Sequence, residues 1–239
     1  MATAKTELEW SYTPADFFEA PYRHETVDYT LFADAGKVLV TLAAPSDPID
    51  AKLQDRIRKA VEDLFRIRQL SVHRPFHLDE IAKVCQHGTD GKKLVLVALE
   101  GVLSVVGQAD FTIHDASGKL VKDTKSERIA EDTKLIESLA PKVASSATLD
   151  ALLESYNAAV SDPANELVHL YEIRDALAAH YSGENEALQK LQFTEKDWSQ
   201  LGYLANKAPL KEGRHRGWHL KLRHAAQPNS TKREILRVA

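Results

Sequence analysis

Two observations on this sequence point to an α+β fold. The first half alternates apolar and polar residues at strand spacing, and from residue 146 onward the apolar spacing is helical. The expected architecture is a small antiparallel sheet with one covering helix over 1–145, then a helical bundle over 146–239 with a basic end. A chain of 239 residues can bury two such cores. With 44% hydrophobic and 28% charged residues, its composition is neither disordered nor fibrous.

Residues 25–44 read as a hairpin. Val27, Tyr29 and Leu31 alternate with polar neighbours, Asp34-Ala35-Gly36 supplies the turn, and Val38, Val40 and Leu42 resume the pattern. Ser46-Asp47-Pro48 has the form of a helix start, a capping side chain followed by proline. Leu53, Ile57, Ala60, Val61, Leu64 and Phe65 follow at helical spacing, predicting an amphipathic helix to about Leu70. Leu94 to Leu99 is almost wholly apolar and is expected as a central strand, with another at Val102 to Val106. Phe111 and Ile113 lead through the turn Asp115-Ala116-Ser117-Gly118 to Leu120 and Val121.

No convincing strand pattern follows Glu127, and the polar break Ser145-Ser146-Ala147-Thr148 marks the expected domain boundary. Helices are predicted over 149–160, 164–181 and 184–191. Thr194 caps a further helix carrying Trp198, Leu201, Leu204 and Ala205. Lys207 to Gly213, containing Pro209, reads as a loop.

Charge is unevenly distributed along the chain. The net −4 divides into +7 over 207–239, where nine Lys or Arg face Glu212 and Glu234, and −11 over the preceding residues. Such asymmetry suits a surface that meets a polyanion, or a basic end that docks on an acidic protein. The single cysteine, Cys85, excludes an internal disulfide framework, and no leader pattern precedes Trp10. The run from Leu94 to Val106 is broken by Glu100 and falls short of the ~20 residues of a membrane span. The expectation is a cytoplasmic protein without membrane attachment. His73, His77, Asp79, Cys85 and His87 lack zinc-site spacing, so no metal or other cofactor is expected.

The densest chemistry lies in Arg214-His215-Arg216-Gly217-Trp218-His219, followed by Lys221 and Arg223. Guanidinium groups grip phosphate in bidentate fashion, and imidazoles exchange protons near neutral pH. A second position stands out on the helix at 166–181. On a wheel of about 100° per residue, Leu167, Leu170, Leu177 and Tyr181 share an arc, with Arg174 at its centre. A guanidinium on an apolar face needs compensation, from a carboxylate elsewhere in the chain or from a bound anion shared with the Arg214 cluster.

With four residues between Arg214 and His219, and the polar His215 directly after the arginine, the segment resembles the HEPN family (higher eukaryotes and prokaryotes nucleotide-binding). Leu170-Tyr171-Glu172, then Asn206, then the Arg-His pair also follow the order of that family's Apea-like branch. The resemblance covers the C-terminal part alone, and Gly213 and Gly217 depart from the family's pattern, in which the motif begins inside a helix. It implies a small helical bundle, a homodimer and metal-independent cleavage of RNA. Arg214, His219 or His215 would then be catalytic, and Arg174, Arg216, Lys221 and Arg223 would bind the substrate. Residues 184–206 admit a different reading, a DNA-binding helix-turn-helix, although Glu195 and Asp197 would face phosphates there.

Overall fold

The computed structural model describes residues 5–44, 49–80, 82–87, 93–95, 110–114, 117–208 and 210–213. The strands are β1 (Lys5–Thr13), β2 (Tyr22–Glu25), β3 (Tyr29–Asp34) and β4 (Lys37–Leu42), then β5 (His77–Leu78), β6 (Lys83–His87), β7 (Lys93–Val95), β8 (Thr112–His114) and β9 (Leu120–Asp123). The helix α1 (Ala51–Val72) lies between β4 and β5. After β9 come α2 (Thr124–Ser145), α3 (Ala147–Ser161), a 3-10 turn at Pro163–Asn165, α4 (Glu166–His180), α5 (Glu184–Leu191) and α6 (Glu195–Asn206). The fold is α+β.

Two compact units divide these elements: Met1–Phe65 with Phe76–Ala140, and Arg66–Pro75 with Pro141–Ala239. The second thus takes residues 66–75, a piece that a single boundary near 145 leaves with the first.

In the first unit an antiparallel sheet runs in the order β2-β3-β4-β1-β6-β7, with β5 also paired to β1. The expected hairpin is β3–β4, closed by Ala35 and Gly36 at φ 45° and 82°. Val27, however, precedes β3 and is 93% exposed. Of the expected strand at Leu94 to Leu99, the structure describes only Leu94 and Val95, within β7. β7 pairs with β6, and among the described strands β1 has the most partners, bonded to β4, β5 and β6. Val102 to Val106 lies outside the described residues.

β1 earns that place by alternation. Leu8, Trp10 and Tyr12 point to one face and are at most 2% exposed, while Glu7 on the other face pairs with Lys5 at 2.5 Å. Phe65 of α1 meets Tyr12 edge-on at 5.0 Å between ring centres and stacks on Phe17 at 5.4 Å. Such aromatic pairs add about 0.5–1.5 kcal/mol each beyond the area they bury. β8 and β9 form a separate two-stranded sheet, whose Phe111, Ile113, Leu120 and Val121 are exposed.

The second unit contains α3 to α6. Ser146 and Thr194 cap α3 and α6 by accepting the backbone N–H of Leu149 and Asp197. Inward residues Leu152, Tyr156, Leu167, Leu170, Leu177, Leu188, Trp198 and Leu201 share one core. No helix among the described residues is long and apolar enough to cross a membrane.

Removing the large ring at the sheet's centre should unsettle the first unit. Trp10→Ala is expected to cost about 3–5 kcal/mol, read as a lowered urea midpoint. An unchanged midpoint would contradict the central role of β1.

Candidate nucleic-acid interface

Of the expected site residues, Arg174 alone lies within the described part of the chain. Arg214, His215, Arg216, His219, Lys221 and Arg223 lie outside it. What the structure describes is therefore the bundle from which that segment departs, and the surroundings of Arg174.

α4 buries Leu167, Leu170, Ile173 and Leu177, and this packing forces the neighbouring Arg174 toward the core, where its side chain is 13% exposed. Its guanidinium carbon stands 4.9 Å from the centre of the Trp198 ring and 5.1 Å from that of Tyr171. Nη2 donates to Glu184 Oε2 at 2.9 Å. The partner does come from elsewhere, as the wheel required. Ser182 and Gly183, at φ 63° and 143°, turn the chain so that the first residue of α5 returns beside α4. Each ring contributes on the order of 0.5–2 kcal/mol by facing a cation. The ion pair adds less, because Glu184 is 50% exposed and the charges are screened. Together they supply part of the compensation a guanidinium on an apolar face needs, while its buried Nε has no hydrogen-bond partner among the described residues.

Gly202 of α6 completes this arrangement. A methyl group placed on its Cα would stand 3.2 Å from Arg174 Nη1, so the missing side chain leaves room for the guanidinium.

Beyond α6 the chain is tied down. Lys207 and Ala208 both donate their backbone N–H to the Tyr203 carbonyl, at 2.8 and 2.9 Å, and Gly213 donates to that of Leu210 at 3.3 Å. Ala208 and Leu210 join the core. The segment 207–213 is the expected loop, but it is anchored up to the residue before Arg214.

A second cluster in this unit was missed by the sequence reading. His73 takes φ +48° as its N–H closes the end of α1 on the Gln69 carbonyl at 2.8 Å. Its Nδ1 lies 2.8 Å from the Tyr156 hydroxyl, and its Nε2 lies 4.0 Å from Glu166 Oε1. Tyr156 is 1% exposed, and a buried tyrosine in an apolar stripe calls for a hydroxyl partner. That was the available signal. His73 thus joins α1 to α3. No three His, Cys, Asp or Glu side chains converge as a metal site among the described residues.

α5 and α6 are joined through Gln192 at φ 58°, and each packs on α4. The first turn of α6 presents Glu195 and Asp197, while Trp198, Leu201 and Ala205 face the core. An acidic leading turn opposes phosphate contact.

The Gly202 geometry gives a sign test. Gly202→Ala in a helix should gain about 1 kcal/mol from propensity, and that gain should be cancelled or reversed while Arg174 is present. In an Arg174→Ala background the gain should appear in full, measured by thermal unfolding. Equal effects in both backgrounds would rule out the contact. Tyr156→Phe, which removes one hydrogen bond to His73, should cost about 1 kcal/mol in the same assay. Comparison with family models, curated proteins and solved structures finds no match to this chain, so no family is assigned.

Proposed function

We propose that this chain binds RNA or another phosphate polymer through the basic segment beginning at Lys207, and cleaves RNA without a metal. The observation that carries this reading is the segregation of charge, +7 over 207–239 against −11 before it. Cations gathered in one segment release counterions when they meet a polyphosphate, which is the main source of affinity for such a ligand. Arg216, Lys221 and Arg223 would hold phosphates on either side of the scissile one.

The proposed reaction is attack by the RNA's own 2′-oxygen on the adjacent phosphorus. One imidazole, His219 or His215, takes the 2′-hydroxyl proton, and the other returns a proton to the departing 5′-oxygen. Arg214 stabilises the added negative charge on the five-coordinate phosphorus. The products are a 2′,3′-cyclic phosphate and a 5′-hydroxyl, with protons balanced. Arg174 serves this reading by joining α4, α5 and α6, since Glu184 already takes its charge. The resemblance to the HEPN family supports a site completed by a second copy.

One observation favours a second reading, in which the basic segment docks on an acidic protein. Glu172, Asp175, Glu186 and Glu195 are exposed on the helices of the second unit, so a second copy offers such a surface.

Incubating labelled RNA with the protein in EDTA separates the readings. Cleavage by the wild type that Arg214→Ala and His219→Ala each abolish is the expected outcome. Salt-sensitive binding without products would leave a binder, and no RNA binding together with self-association lost in high salt would establish the docking reading.

A further inference from the structure

Among the described strands β2 pairs with β3 alone, Tyr22 opposite Ala33, Arg23 opposite Phe32, His24 opposite Leu31 and Glu25 opposite Thr30. One step further, the Thr26 N–H donates to the Tyr29 carbonyl at 2.9 Å. In an antiparallel ladder, residues alternate between exchanging hydrogen bonds with the neighbour and turning their backbone groups away from it. Counting back from Thr26, His24 and Tyr22 bond to β3. The N–H and C=O groups of Arg23 and Glu25 are therefore directed to the outer edge. Arg23, His24 and Glu25 are all exposed there.

An open edge is a template for another strand, and charged side chains commonly blunt it. Here the charges alternate in sign on one face, and that spacing selects a partner. When a second copy of β2 pairs antiparallel about a two-fold axis, residues on the same face must meet, so the register is centred on a single residue. Centring on Arg23 sets arginine against arginine, and centring on Glu25 sets carboxylate against carboxylate. Centring on His24 places Arg23 opposite Glu25 of the second copy, twice by symmetry. His24 then meets its own copy, an uncharged contact while the imidazoles are neutral. The paired residues are the ones whose backbone groups are open, so the register that matches charge also exchanges backbone hydrogen bonds. Arg23 and Glu25 already pair within the strand at 2.6 Å, but that contact is exposed and screened, and trading it for cross-strand pairs costs little.

We propose that the β2 edge is a self-association surface, to which a second copy of this chain adds its own β2 in the His24-centred register. The proposal is independent of the phosphate-polymer reading. A strand of four residues buries less than the ~1,000 Å² of a durable interface, so the association is weak and reversible.

Sedimentation equilibrium of the full chain tests it through charge reversal. Wild type should dimerise as concentration rises. Arg23→Glu and Glu25→Arg each set like charges opposite one another, and each should weaken dimerisation by about tenfold. Both side chains being exposed, the fold should tolerate either change. An equimolar mixture of the two variants should dimerise again, because every cross-strand pair is then of opposite sign, although within each chain residues 23 and 25 repel. Amide exchange read by NMR examines the backbone: at high concentration the Arg23 and Glu25 N–H groups should slow, while that of His24, bonded to β3, should not change. A wild type that stays monomeric to about 1 mM would overturn the proposal. So would self-association that both reversals leave intact, or single variants that mixing does not rescue.

Discussion

A full positive charge placed on the apolar face of a helix has to be compensated, and in the helical unit this requirement organises three helices at once. Arg174 projects from α4, its counter-ion Glu184 opens α5, and one of its two flanking rings, Trp198, belongs to α6. The local devices around it serve the same end. Ser182 and Gly183 bring Glu184 back, Thr194 starts α6 so that Trp198 turns inward, and Gly202 leaves the guanidinium its space. The ion pair contributes little by itself, since its carboxylate is half exposed. The geometry matters more, because a packed charge tolerates few alternative arrangements.

Arg174 pairs with Glu184 inside the helical unit, while the densest run of positive charge in the sequence follows Gly213. The functional reading follows from that division. Helices α3 to α6 carry an excess of carboxylates, and their basic residues are few. The C-terminal segment therefore differs from the unit that bears it in both charge and chemistry, and the anchored turn at 207–213 marks the change.

Legibility in the sequence followed how local the determinants were. α3, α5 and α6 were read almost to the residue because Ser146, Gly183 and Thr194 sit at their ends, and capping is a local event. β1 went unread although Leu8, Trp10 and Tyr12 alternate, because polar Thr6 is buried on the same face and Glu7 on the opposite one. α2 offers only a thin stripe, Ile129, Ile136 and Val143, and Pro141 within it reads as a break. At the candidate site, Arg174's need for a partner was visible in the wheel. That Glu184 is the partner, or that His73 meets Tyr156 across 83 residues, depends on tertiary packing.

The central claim is that the C-terminal cations, and not the internally paired Arg174, make the ionic contact with a phosphate polymer. Its most direct test is the dependence of single-stranded RNA affinity on salt concentration. The account predicts a steep fall, with Arg216→Ala making the slope shallower by about 0.7 and Arg174→Lys leaving it unchanged. A flat dependence, or a slope that changes with Arg174 and not with Arg216, would contradict it.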